Sequence, residues 1–238
     1  MQLNPKDRLI LSLDFDEDQK ALSLLEQLRG EVSYCKVGLQ LFTRYGLKLL
    51  KSIRQLDYRI FLDLKFHDIP NTVASAIRSL AEVEIDILNM HALCGEEGMK
   101  RAKEALSIQH PSAKLVAVTV LTSLNTQSIN DMGVGITASE WVLKLCDLAC
   151  QSGLDGVVCS AQEVNAVKSM NGQQFLTICP GIRRLTDEVG DQKRITTPLE
   201  AIQNGADWLV VGRPIIQAPD PKMEAISIIE EIEKGLSK

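Results

Sequence analysis

The sequence predicts a (β/α)8 barrel occupying residues 1–238 as one catalytic domain, and three observations carry that expectation. Eight short apolar runs recur along the chain, stripes of apolar residues at helical spacing lie between them, and no Pro/Gly/Ser-rich linker divides the whole. Near-continuous apolar strands require burial on both faces, which a parallel sheet wrapped in helices supplies. Eight such units in 238 residues suit closure into a barrel, a fold that routinely reaches this length as one domain. A doubly wound open sheet would need fewer strands.

Taken in order, the candidate strands are Arg8 to Asp14, Ser33 to Gly38, Arg59 to Lys65, Ile85 to His91, Lys114 to Leu121, Gly156 to Cys159, Phe175 to Cys179 and Trp208 to Val211, each short and rich in Val, Ile or Leu. Between them, Ala21, Leu24, Leu25 and Leu28 keep the i, i+3, i+4, i+7 spacing of a helix face, as do Val73, Ala76, Ile77 and Leu80, and Val142, Leu145, Cys146 and Ala149. Beyond this alternation no repeat or low-complexity tract is visible. The long irregular stretch from Pro180 to about Thr197 reads as a functional loop, often a lid.

Hydrophobic residues make up 45% of the chain and charged residues 24%, the proportions of a globular protein able to bury a sizeable core. A net charge of -5, with no tail-like basic run, argues against nucleic acid, while net charge does not exclude one cationic cleft for a small phosphorylated ligand. The six cysteines lack the paired spacings of a zinc site and read as reduced thiols. Cys146 and Cys150, four apart on one helix, read as packing rather than as metal ligands. The apolar stretch before Asp14 is too short for a secretory signal, and no run approaches a membrane span, so a cytoplasmic protein is expected.

The chemistry is expected where strands end. In Arg59-Ile-Phe-Leu-Asp-Leu-Lys65, side chains of an extended strand alternate faces, which puts Asp63 and Lys65 opposite to Leu62 and Leu64 and toward the barrel axis. By the same rule Lys36 projects opposite to Cys35 and Val37, and Asp14 opposite to Leu11 and Leu13. Buried charges are costly unless paired, and the C-terminal mouth is where barrels of this class place their active sites. One such lysine is usually just solvated; charges delivered by three neighbouring strands to one mouth point to a site.

The stretch Asp63-Leu-Lys-Phe-His-Asp-Ile-Pro-Asn-Thr72, with its Asp-x-Lys-x-x-Asp core, resembles the signature of the orotidine 5'-phosphate decarboxylase family. Lys36-Val-Gly38, Asn89-Met-His-Ala92, Leu121-Thr-Ser123, Pro180-Gly-Ile-Arg183, Gly190-Asp-Gln192 and Val211-Gly-Arg213 resemble that family too, in its order, so the likeness covers essentially the whole chain. The resemblance implies decarboxylation of orotidine 5'-monophosphate to uridine 5'-monophosphate without metal or other cofactor. It also implies an alternating network of Lys36, Asp63, Lys65 and Asp68 in a homodimer, with Asp68 and Thr72 reaching the partner subunit's site and Ile69 among the substrate contacts.

Loss of carbon dioxide leaves an electron pair at C6 in the plane of the pyrimidine, where no conjugated sink can absorb it, so a nearby ammonium must stabilise and protonate it. Lys65 is the candidate for both roles, and Asp63 would lie against the departing carboxylate. At the other end of the substrate, Gly212 and Arg213 follow the eighth strand and Arg183 the seventh, the usual phosphate corner of such barrels. Glycine permits close backbone approach, and arginine offers two parallel donors to phosphate oxygens. By resemblance, Gln192 reaches from the lid to phosphate or base, Thr122 meets the pyrimidine edge, and Asp14 and Lys36 bind ribose hydroxyls.

Two other patterns carry less. Gly133-Val-Gly-Ile-Thr-Ala138 fits a dinucleotide fingerprint but follows no strand, and His67 and His91 lack ligand spacing and read as hydrogen-bonded strand-end residues. The competing functions are a metal-dependent sugar-phosphate decarboxylase or aldolase-like enzyme on the same barrel, against which the Ile69-Pro-Asn-Thr72 continuation argues, and a non-catalytic nucleotide-phosphate binding protein.

Overall fold

The computed structural model describes residues 4–184 and 196–237. Strands β1 (Leu9–Ser12), β2 (Tyr34–Gly38), β3 (Arg59–Phe66), β4 (Ile87–His91), β5 (Lys114–Val118), β6 (Gly156–Val158), β7 (Leu176–Cys179) and β8 (Trp208–Val211) pair in parallel in chain order, and β8 closes onto β1. All eight fall where the apolar runs placed them. Several runs outlast their strands: the fifth was expected to reach Leu121, but β5 stops at Val118 because the chain leaves the ladder while Val120 stays buried.

Helices α1 (Asp18–Gln27), α2 (Leu39–Gln55), α3 (Pro70–Arg78), α4 (Gly95–Gln109), α5 (Thr126–Asn130), α6 (Ala138–Gln151), α7 (Val164–Asn171), α8 (Pro198–Gln203), α9 (Arg213–Ile216) and α10 (Pro221–Leu236) follow the strands. The helix faces read from sequence are buried, apart from the half-buried Ala76, and two of them run one or two residues past the helix, to Leu28 and Leu80. Helix α6 begins at a reciprocal cap: the Thr137 hydroxyl accepts from the Glu140 N–H, and the Glu140 carboxylate accepts from the Thr137 N–H.

Apolar packing separates into two bodies. The larger lies between the outer strand faces and the helices, and the smaller fills the barrel with Ile10, Tyr34, Phe61, Ile87, Val116, Ile178, Trp208 and Val210. Two residues further along their strands, on the same face, stand Ser12, Lys36, Asp63 and Asn89. The barrel is therefore plugged with hydrocarbon below and turns polar above. Gly156 is fixed by a close approach, since a Cβ there would sit 2.1 Å from the Leu176 carbonyl oxygen.

A recurring device at the N-terminal end was not read as a repeat in the sequence. Asp86, Asp155 and Asp207 each precede an even-numbered strand, and each carboxylate accepts the N–H of the second residue of the preceding odd strand, Ile60, Leu115 or Thr177, at 2.8 Å. Each aspartate's own N–H donates to the carbonyl of that same residue. Arg54, Lys103 and Lys168 supply the respective counter-charges.

Candidate active site

At the C-terminal mouth a cavity of about 590 Å3 is lined by Ser12, Asp14, Lys36, Asp63, Lys65 and Thr122, together with Arg183, Gly212, Arg213 and Gln217. Apolar walls come from Phe61, Val118, Val158 and Val210. The volume suits a nucleotide-sized ligand, and the apolar lining with few convergent polar groups is the usual make-up of a small-molecule site.

Charges alternate across one wall. Lys65 Nζ lies 2.6 Å from Asp63 Oδ1, and Lys36 Nζ lies 3.1 Å from Asp63 Oδ2 and 3.6 Å from Asp14 Oδ1. The Ser12 hydroxyl donates to Asp14 at 2.9 Å. Burial alone would push the Asp63 carboxyl up, but the two ammoniums and the hydrogen bonds from Lys65 and Asn89 hold it below its ordinary value. Asp63 is thus an anion at neutral pH although its side chain is only 10% exposed, whereas that of Asp14, at the rim, is 57% exposed.

The route by which Lys65 reaches this wall differs from simple strand alternation. Leu62 pairs with Leu88, yet the next β3–β4 pair is Phe66 with Met90, so β3 spends four residues where β4 spends two. Lys65 sits in this bulge with φ 51°, a left-handed backbone that a side chain opposes. Asp63 keeps its regular pairing to β2 at Gly38 and faces inward by alternation; Lys65 joins it through the bulge.

Asp68, Ile69 and Thr72 do not join the wall. All three are exposed, Asp68 accepts the Ile69 N–H at 2.7 Å, and the network within this chain runs Asp14, Lys36, Asp63, Lys65 rather than on to Asp68. Distance along the chain explains it: Asp68 lies past the end of β3, at the approach to α3. Beside the Asp14 end of the charged wall, Gly212 and Arg213 open α9, and a Cβ at 212 would meet Asp14 Oδ2 at 2.8 Å, so the backbone there is drawn tight against β1. Arg183 is buried beside them, its backbone N–H bonded to the Thr196 carbonyl. Gln192, expected in the lid, lies outside the described residues.

Sequence reading gave no role to Ser12, Gln217 or Asn89. Ser12 was within reach, being two residues before Asp14 on the same face, and a polar Asn89 inside the apolar run of β4 was a signal in itself. Gln217, at the end of α9, carried none. The two histidines are corrected in part: His91 does close β4, but its ring is tilted against that of His67 at 5.3 Å, and its buried Nδ1 has no hydrogen-bond partner among the described residues. Burial, then His67 and Lys65, lowers its pKa and keeps it neutral. The Gly133–Ala138 segment lies between α5 and α6, apart from the cavity. Among the described residues no group of His, Cys, Asp and Glu has the arrangement of a metal site.

Residues 7–228 match the family described as Orotidine 5'-phosphate decarboxylase / HUMPS family. The chain is 46% identical over 231 residues to the orotidine 5'-phosphate decarboxylase of Carboxydothermus hydrogenoformans, with 95% of this chain and 96% of the relative covered. It is likewise 46% identical over 228 residues to the enzyme of that name in Nitrosococcus oceani, covering 95% and 98%. Among solved structures, the orotidine 5'-phosphate decarboxylase of Lactobacillus acidophilus superposes with a TM-score of 0.85 at 37% identity, over 95% of this chain and 99% of that one.

Proposed function

This chain belongs to the orotidine 5'-phosphate decarboxylase / HUMPS family, and from that premise we propose how the charged wall of its barrel serves decarboxylation. The enzyme is a carboxy-lyase that converts orotidine 5'-monophosphate to uridine 5'-monophosphate and carbon dioxide in pyrimidine biosynthesis. In our reading the C6–carboxylate bond breaks heterolytically, carbon dioxide leaves, and the electron pair left at C6 takes a proton from Lys65 Nζ. Solvent then restores the ammonium.

The observation that carries this assignment is the contact of Lys65 with Asp63 on the cavity wall, 2.6 Å apart, with Lys36 on the other oxygen of the same carboxylate. An ammonium fixed in place before reaction stabilises the developing carbanion without reorganisation, which is the largest contribution such a site can make. Asp63 faces the substrate carboxylate and loses that like-charge contact as neutral carbon dioxide departs. Since Lys65 supplies the positive charge at the reacting carbon, we assign no metal or organic cofactor to the step. Asp14 and Lys36 then bind the ribose hydroxyls, Thr122 the pyrimidine edge, Gly212, Arg213 and Arg183 the phosphate end, and Gln192 the phosphate or the base.

Asp68 and Thr72 belong, in the same reading, to the partner subunit's cavity in a homodimer, with Ile69 between them among the substrate contacts. Their exposure beside the mouth supports it, with Ile69 68% exposed. We place the enzyme in the cytoplasm, as its six free cysteines suit; no described helix is long and apolar enough to cross a membrane.

The deciding experiment is Lys65→Ala. Loss of orotidylate absorbance and carbon dioxide release should fall by about a thousandfold or more, the upper range for removing a general acid, while uridine 5'-monophosphate still binds. Undiminished decarboxylation by the variant would remove Lys65 as proton donor. For the shared site, mixing Lys65→Ala chains with Asp68→Asn chains should restore activity in the hybrid dimers; no recovery on mixing counts against it.

A further inference from the structure

We propose that Asn89 is a positioning residue that holds Lys65 and Asp63 in reacting register, an inference that rests on the decarboxylation just described and deepens it. Asn89 lies on β4, is 1% exposed, and is the residue that the extra length of β3 has to span. Its side-chain oxygen accepts the backbone N–H of Lys65 at 2.8 Å, and its side-chain nitrogen donates to Asp63 Oδ1 at 2.6 Å. The orientation of the amide is forced, because an N–H can only donate and an ionised carboxylate can only accept.

One planar group therefore ties together the backbone of the proton donor and the carboxylate beside it. The Asp63 oxygen that Asn89 holds is also the one that Lys65 Nζ contacts. The ladder between β3 and β4 is interrupted at this point, and the Asn89 oxygen stands in for the missing strand partner of the Lys65 N–H. A left-handed backbone at a lysine persists only where its surroundings over-determine it, and these two bonds are the visible determinants. Leucine has the shape of asparagine but neither donor nor acceptor. Aspartate supplies the acceptor, but when ionised it sets a second carboxylate against Asp63.

The ionisable groups facing position 89 are Asp63 and Lys65 on β3, Lys36 on β2 beyond Asp63, and His91 two residues along β4. From β5 the residue paired with it is Val116. Protonating a carboxyl introduced at 89 would recreate both bonds, with its O–H donating to Asp63 and its carbonyl accepting from Lys65.

The test measures kcat and KM for Asn89→Leu and Asn89→Asp beside the parent and Lys65→Ala, with uridine 5'-monophosphate as the binding probe. Displacing a reacting group by an ångström costs about a hundredfold, so Asn89→Leu should lose about that much in kcat with KM and product affinity little changed. Asn89→Asp should be as impaired at neutral pH and regain activity relative to the parent as pH falls, a recovery that general loss of packing does not produce. Hydrogen exchange at the Lys65 amide reads the same contact without turnover and should speed up in Asn89→Leu.

Parent-like kcat in Asn89→Leu, with Lys65→Ala inactive, would overturn the role of Asn89 and leave the proton donor standing. So would an Asn89→Asp variant with no recovery at low pH. If instead Lys65→Ala still turned over, the assignment of Lys65 as proton donor would fail by itself, and exchange at Lys65 would decide the positioning: protection kept in Asn89→Leu overturns it.

Discussion

Both ends of this barrel set partly or wholly buried carboxylates beside cations, and the two sets are spent differently. At the N-terminal end, Asp86, Asp155 and Asp207 each give an oxygen to a backbone N–H of the neighbouring strand, so the carboxylate is a rung of the sheet and the cation beside it balances the charge. At the C-terminal end, the partners of Asp63 are side chains, Lys36, Lys65 and Asn89, and the whole group opens on a cavity. A buried ion pair by itself is therefore no sign of a site. Both sets also line cavities, of about 590 Å3 at the mouth and about 1180 Å3 below, so what separates the two ends is whether the carboxylates are bonded to the backbone of the sheet or only to other side chains.

The largest expected effects come from removing one acid at each end. Asp63→Asn keeps the shape and removes the charge between two ammoniums, and it should lower kcat by about two to three orders of magnitude. Asp207→Ala leaves Lys168, whose side chain is 4% exposed, without its counter-ion and strips the Thr177 N–H of its acceptor. Breaking a buried pair in this way should cost about 3–5 kcal/mol of stability, read as a lower urea midpoint, with kcat of the folded fraction unchanged. If Asp207→Ala were fully folded yet as slow as Asp63→Asn, the division between a working end and a holding end would be wrong.

The same division explains what the sequence could and could not reveal. Strand order followed from apolar runs because both faces of a parallel barrel are buried, so every strand is legible as hydrocarbon. Asp14, Lys36 and Asp63 were legible as a group because two-residue alternation fixes which face a strand residue takes. Alternation also brought Lys65 to the correct wall, but for an incomplete reason, since the bulge and its left-handed backbone depend on β4 and Asn89, which a reading of β3 alone does not contain. The lower acids were illegible for a related cause. Asp155 and Asp207 sit just before their strands, where an aspartate reads as an ordinary turn residue until the neighbouring strand is in place, and Asp86 fell inside the apolar run from Ile85 to His91 although β4 starts only at Ile87.

The smallest effect expected is also the one that contrasts the two ends by sign. Burial raises the pKa of Asp86 more than Ile60 and Arg54 can lower it, whereas at Asp63 the two lysines outweigh burial and the pKa falls. A carboxylate with a depressed folded value contributes stability that is present above the unfolded value, about 3.9, and is lost as pH falls through the folded one. With a raised folded value the contribution is present below about 3.9 and is lost as pH rises through the folded one. The stability of the parent relative to Asp63→Asn should thus shrink as pH is lowered below about 4, and relative to Asp86→Asn it should shrink as pH is raised above about 4. Urea midpoints of the three proteins on either side of that pH give the two slopes. Slopes of the same sign would mean that the lysines at the mouth do not hold Asp63 ionised more firmly than water does, and the charged wall would lose the feature that sets it apart from the barrel floor.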